Sequence, residues 1–238
     1  YYGTGEKLKE FIDECHQRGI AVILDQVFNH SFGQNPQVRM YSENGAAGPV
    51  TSENPWFNVI PKHDFNVGYD YNHDSPDVQE FVERNLRFWI QEYKFDGFRF
   101  DLSKGFTQNN TLGNIGAWNA TDESRLNHWR RIRDEIYDYD DEAYLILEHL
   151  SGNDEETILA NEGFMLWGKM TEEYNQNSMG YASNANLARV DYQDRDWEQP
   201  NLVGYAESHD EQRLMYKNLE FGNSSGDYDV TELNTALA

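Results

Sequence analysis

Apolar and polar positions alternate along the chain in two periods. Between residues 5 and 18, Leu8, Phe11, Ile12 and Cys15 recur at helical spacing, and Gly19 follows as a natural stop. The pattern predicts a first helix with Cys15 on its core-facing stripe, a packing residue and not a nucleophile. Residues 20–24 then form a nearly continuous apolar run, Ile20-Ala21-Val22-Ile23-Leu24, which suits a parallel strand covered on both faces. It runs into Asp25-Gln26-Val27-Phe28-Asn29-His30.

Residues 31 to about 74 show no period, only Gly, Pro, Asn and Ser among scattered aromatics. A connection this long marks a functional excursion. Ser75-Pro76-Asp77 reads as N-cap, first-turn proline and acidic first turn, leading a stripe of Val78, Phe81, Val82, Leu86 and Trp89. Strands are predicted at 95–101, 143–148, 163–167 and 202–206, with a helix at 127–137 and helical stretches between the later strands. Strands alternating with helices argue for an α/β fold on a parallel sheet. The final residues, from Thr231 to Ala238, read as a helix start without a stop, and both ends look cut.

Charge narrows the function classes. With 19 Lys and Arg against 42 Asp and Glu among 238 residues, the net charge is −23. Nucleic acid is not an expected partner, because phosphate contacts need clustered cations. The acidic excess reads most simply as a solvated surface. No apolar run reaches the roughly 18 residues that a membrane span needs, so no membrane role is expected. A single cysteine excludes an intrachain disulfide framework.

The chemistry lies where the apolar runs end. One run finishes in Asp25, Asn29 and His30, the next in Arg99 and Asp101, another in Glu148 and His149, and the last in Glu207, His209 and Asp210. In parallel α/β folds the active site forms at the carboxyl ends of the strands, so these acids converge on one face. Strand parity puts Gly97, Arg99 and Asp101 on one side and Phe98 and Phe100 on the other. An Arg two residues before Asp101 favours its ionised form, which suits a nucleophile. Glu148 follows Leu145-Ile146-Leu147, an apolar setting that raises a carboxyl pKa and suits a general acid. Two carboxylates tuned in opposite directions are the equipment for glycoside cleavage, and Asp210 adds a third that could grip sugar hydroxyls.

With these residues in view, the chain resembles glycoside hydrolase family 13, the α-amylase family. Ile23-Leu24-Asp25-Gln26-Val27-Phe28-Asn29-His30 resembles the first family motif, and Gly97-Phe98-Arg99-Phe100-Asp101-Leu102-Ser103-Lys104 the second. Ile146-Leu147-Glu148-His149 resembles the third, and Tyr205-Ala206-Glu207-Ser208-His209-Asp210 the fourth. Tyr2-Gly3-Thr4 and the following helix resemble the segment before the first motif. The resemblance implies a (β/α)8 TIM barrel, incomplete here, with strands three to seven recognisable and an insertion after strand three. Residues 1–30 and 75–238 would form the partial catalytic barrel, and 31–74 the inserted excursion.

It further implies Asp101 as nucleophile, Glu148 as general acid/base and Asp210 as transition-state stabiliser. His30, Arg99 and His209 would line the subsite of the attacked ring, Lys104 would meet sugars on the leaving-group side, and Asp25 would support Arg99. Asn29 matches a calcium-binding Asn, with Asp70 or Asn72 as a further oxygen donor. Gly105, standing where the family often has a His, weakens the calcium expectation. Trp56, Tyr69, Tyr71, Trp118 and Trp167 are aromatic rings near the cleft, Trp167 being best placed as a sugar platform.

The implied substrate is a starch-like α-glucan and the implied location is secreted or cell-surface. A full barrel needs about 250 residues. Strands one, two and eight have no counterpart here, so the isolated piece is expected to be inactive. Three other readings use the same residues: a transglycosylase or branching enzyme, a non-catalytic glucan-binding protein, and a barrel enzyme holding a divalent metal with its acids.

Overall fold

The computed structural model describes residues 3–46, 48–65 and 67–223. Tyr2 and the helix start expected at 231–238 lie outside the described residues. The strands are β1 (Ile23–Gln26), β2 (His30–Ser31), β3 (Glu43–Ala46), β4 (Tyr69–Asp70), β5 (Gly97–Phe100), β6 (Tyr144–Leu147), β7 (Met165–Lys169) and β8 (Leu202–Tyr205). The helices are α1 (Gly5–His16), α2 (Pro36–Met40), α3 (Pro76–Phe88), α4 (Ile115–Asn119), α5 (Glu123–Tyr137), α6 (Asn153–Asn161), α7 (Thr171–Ser178) and α8 (Leu214–Phe221).

Strands β1, β5, β6, β7 and β8 pair in that order, all parallel, as the open part of a (β/α) barrel. Register aligns Asp25 with Arg99, and Arg99 with Ile146. Gly97 sits where β5 and β6 approach so closely that a Cβ would collide with the Tyr144 carbonyl. The core lies between the sheet and its helices. Phe98 and Phe100 of β5 are fully buried there with Leu126, Trp129, Ile132 and Ile136 of α5. The Trp129 ring meets Phe100 at 5.1 Å and Phe106 at 4.3 Å.

Between β1 and α3 the chain is not structureless. It carries α2, β3 and a short antiparallel pair, β2 with β4, registering His30 against Asp70. Its small core sets Phe57 and Tyr71 at 4.3 Å with Val38 and Val50 buried. Asn35 caps α2 by accepting from the Gln37 N–H, and Asn54 accepts from the Trp56 and Phe57 N–H groups. Such side-chain-to-backbone bonds replace a periodic ladder.

Two expectations are corrected, for Cys15 and for the 163–167 strand, and one, the Ser75 cap, is refined. Cys15 is half-buried and Phe11 is exposed, leaving Ile12 as the buried residue of α1. β1 is an outer strand of the described sheet, so α1 has a neighbour on one side only. Ser75 caps α3 by position without a side-chain hydrogen bond, and the chain leaves α3 through a π-helical turn, Trp89–Tyr93. The 163–167 strand begins two residues later, because Gly163 takes a left-handed turn (φ 100°) that ends α6.

Helix α5 is capped by Asp122 and begins at Glu123, earlier than its apolar stripe suggests. Asp122 Oδ1 accepts from the Ser124 and Arg125 N–H groups (3.0 and 3.3 Å), and Oδ2 accepts from Thr107 Oγ1 (2.5 Å). Burial pushes the Asp122 carboxyl up, but the bonds from Ser124 and Thr107 outweigh it, so the net shift is downward. Asp122→Ala is expected to cost about 1–2 kcal/mol, as caps do, read by thermal unfolding. A depressed folded pKa means that Asp122's contribution is complete above the ordinary Asp range and is lost as pH falls through the folded pKa. The wild-type advantage over the variant should therefore shrink in acid.

Candidate active site

The backbone ladder places the acids. Past β5, the Asp101 N–H donates to the Gln26 carbonyl (2.9 Å), and the Glu148 N–H donates to the Phe100 carbonyl (3.1 Å). Asp101 and Glu148 therefore emerge side by side from adjacent strands. The Arg99 guanidinium joins them. It lies 3.1 Å from Asp101 Oδ1, 2.8 Å from Asp25 Oδ1 and, off the hydrogen-bonding direction, 2.8 Å from Glu148 Oε2. Asp25 takes two contacts from one guanidinium nitrogen, 2.8 and 3.1 Å, while its side chain stays 60% exposed.

Glu148 is buried, and burial pushes its carboxyl above the ordinary range; the nearby Asp101 and Asp210 charges push the same way. Arg99 and the Leu102 N–H oppose that shift. The latter donates to Glu148 Oε2 at 2.9 Å. It can do so because Leu102 adopts a left-handed backbone (φ 43°), uncommon for a branched side chain.

A cleft of about 520 Å³ opens over these strand ends. Asp101, Glu148, Asp210, His30 and Lys104 all face it. His209 is not among its lining residues; it is largely exposed and pairs with Asp210 at 3.2 Å. Burial lowers the His30 pKa, favouring the neutral ring. Lys104 is pinned: Nζ donates to Asn119 Oδ1 (2.9 Å) and the Leu150 carbonyl (2.8 Å) and sits 4.0 Å from the centre of the Trp118 ring. Burial, with Arg125 nearby, lowers Lys104 to about 8. A larger groove, about 730 Å³, runs along the outside of α3 past Trp56 and Phe81, away from the converging acids.

The aromatic rings are mostly packing. Trp167, expected as the best platform, is covered by the Arg99 guanidinium at 4.2 Å and meets Tyr205 edge-on at 4.9 Å. Trp118 is buried. The exposed apolar residues on the cleft are Phe65 and Val67, from the segment between β3 and β4. Sequence patterning did not single them out, because nothing in an aperiodic segment says which ring faces a cleft.

Also unforeseen was a brace behind the acids. Ser103 Oγ lies 3.0 Å from His149 Nδ1, and His149 Nε2 lies 2.6 Å from Glu155 Oε1, which is ion-paired with Arg125 at 2.6 Å. The order resembles a Ser–His–acid relay, but all three members are buried, so it fastens the residues following Asp101 and Glu148 to α6.

The family resemblance offered Asn29 as a calcium ligand. Calcium takes about six to eight oxygen ligands at roughly 2.3–2.6 Å. Here Asn29 Oδ1 faces His63 Nε2 at 3.1 Å, and Asp70 Oδ1 lies 3.5 Å from the same nitrogen. Asn72 turns its oxygen to the Asp74 N–H. Among the described residues no cluster of three or more His, Cys, Asp or Glu could hold a metal. Two oxygens and an imidazole nitrogen do not fit calcium, and no step below uses it.

Known proteins are similar to this chain in sequence and in fold. The family described as "Alpha amylase, catalytic domain" matches residues 1–66. "Isoamylase SU1, chloroplastic" of Zea mays is 34% identical over 119 residues, 46% of this chain and 14% of that protein. A 1,4-alpha-glucan-branching enzyme (2-2, chloroplastic/amyloplastic) of Arabidopsis thaliana is 27% identical over 255 residues, 92% of this chain and 28% of that protein. Over residues 1–66 the chain is similar to the α-amylase catalytic-domain family. The crystal structure of the α-amylase from Geobacillus thermoleovorans, complexed with acarbose, superposes with a TM-score of 0.65 at 19% identity, covering 92% of this chain and 47% of that one. That likeness shows the fold alone, part of a (β/α)8 barrel. The chain spans well under two thirds of the length of each relative.

Proposed function

We propose that the whole protein is a retaining glycoside hydrolase that cleaves α-1,4-glucosidic bonds in starch-like α-glucans. The observation that carries this reading is one guanidinium shared by two carboxylates, Asp101 and Glu148, at the ends of adjacent strands. Retention is what the family resemblance implies for such a carboxylate pair. The Asp101 carboxylate attacks the anomeric carbon while Glu148, whose carboxyl burial holds above the ordinary range, gives a proton to the departing glycosidic oxygen. Glu148, now ionised, takes a proton from water. That water opens the glycosyl–Asp101 ester, and retention follows from two inversions.

Asp210 faces the same cleft from the far side and would hold sugar hydroxyls. His30, neutral, offers its Nε2–H to the ring that is attacked. Lys104, with two of its protons committed to protein oxygens, shapes the leaving-group side more than it reaches into it. His209 acts through Asp210.

The branching-enzyme reading has one observation in its favour, the match over 92% of this chain. It keeps both carboxylate roles and replaces water with a glucan hydroxyl. Full-length protein with soluble starch should release reducing ends steadily without new branch points. Branch formation with little net reducing-end gain would select the transferase instead. A folded protein doing neither, on any α-glucan, would overturn the enzyme reading.

A further inference from the structure

We propose that the His63 imidazole stands where the family resemblance puts a calcium ion, its Nε2–H joining Asn29 to Asp70 so that this part of the fold needs no bound cation. Three segments meet at this nitrogen: the end of β1, the excursion before β4, and the turn after β5. The Asn29 carbonyl oxygen can only accept, so the hydrogen of the 3.1 Å contact is on His63 Nε2. The Asn29 amide nitrogen is directed to His30 Nδ1 at 3.3 Å, which fixes the amide's orientation.

Asp70 Oδ1 is buried, has no hydrogen-bond partner, and faces the same His63 nitrogen at 3.5 Å. Its other oxygen accepts from Asn58 Nδ2 (2.8 Å) and the Lys62 N–H (3.2 Å). A buried carboxylate oxygen without a partner is costly. The ring N–H is a positive pole 3.5 Å away, and a cation in the same gap would collide with the ring.

The ring is held in place. His63 is fully buried and lies parallel to Trp118, 4.9 Å between centres at an interplanar angle of 1°. Trp118 is itself anchored, its Nε1–H donating to the Lys104 carbonyl at 3.2 Å. The neighbouring Gly105 has no side chain to spare: a Cβ there would run into the Asn29 amide and the His63 ring. The absence of a side chain at 105 thus belongs with the presence of an imidazole at 63. A structural ion's task, tying the excursion to the strand ends, falls to a hydrogen-bonded ring stacked on an indole.

The test uses full-length protein stripped with a chelator. Thermal unfolding of the wild type should be the same in chelator and in added calcium. His63→Asp puts a third oxygen ligand in the ring's place. It should melt lower in chelator and recover by several degrees with calcium, binding one more equivalent than the wild type in a calorimetric titration. A calcium equivalent bound by the wild type and lost on Asn29→Ser would overturn the proposal. So would a folded His63→Asp that ignores calcium. If His63→Asp does not fold, titration of wild type against Asn29→Ser decides alone: equal stoichiometry supports the assignment, and a lost equivalent removes it.

Discussion

Asp101→Asn in the full-length protein should abolish starch hydrolysis, lowering kcat by about 10⁴-fold or more, the scale seen when a covalent nucleophile is removed. Glu148→Gln should cost about 10²–10⁴-fold, the usual range for a general acid. Both substitutions are nearly isosteric and keep the oxygens that the structure uses. An Asn at 101 still offers Oδ1 to Arg99, and a Gln at 148 still accepts from the Leu102 N–H. The losses should therefore be chemical, with unfolding curves close to wild type. A second substrate separates the two roles. An α-maltoside with a nitrophenolate leaving group needs no proton to depart. Glu148→Gln should form the glycosyl-enzyme on it almost normally and then stall, giving a burst of one equivalent. Asp101→Asn should give no burst on either substrate. Reducing-end release retained within tenfold of wild type by either variant would mean that the pair is misassigned.

Why the pair was legible while its surroundings were not follows from range. Strand parity is a two-residue rule, so Gly97, Arg99 and Asp101 opposite Phe98 and Phe100 could be read from five letters, and all four strand residues of β5 are buried as a doubly covered strand requires. Apolar runs located the strands, but their ends drifted. Ile20 extends the first run, yet it is exposed and the ladder begins at Ile23. The elements that tune the site act across long separations without a pattern. His63 reaches Asn29 across 34 residues. Leu102 meets Glu148 across 46 through a left-handed backbone that its side chain does not advertise. Trp167 misled for a related reason: a ring at a strand end is equally good for a sugar or for a guanidinium, and only the fold says that Arg99 arrives first.

Arg99 is the residue on which charge and fold depend together, and Arg99→Met should show both. The guanidinium faces three carboxylates, Asp25, Asp101 and Glu148. Removing one member of a buried ion pair costs about 3–5 kcal/mol, because the partner is left charged and unpaired. Asp25 is 60% exposed and can turn to water, so the expected loss at neutral pH is about 2–3 kcal/mol, below the fully buried case. The pH dependence gives the sign. Arg99 favours the ionised form of Glu148, so its loss raises a carboxyl that burial already holds high. An acid whose folded pKa lies above its unfolded one costs stability as pH rises from the unfolded value through the folded one. The deficit of Arg99→Met should thus be smallest in acid and grow toward neutrality in chemical unfolding followed across that range. Activity has its own sign. Glu148 must carry its proton to release the leaving group, so the alkaline limb of kcat/KM should move to higher pH in the variant while the maximum falls. An alkaline limb that stays in place, or moves down, would show that Arg99 does not act on the group donating the proton, and Glu148 would lose that role.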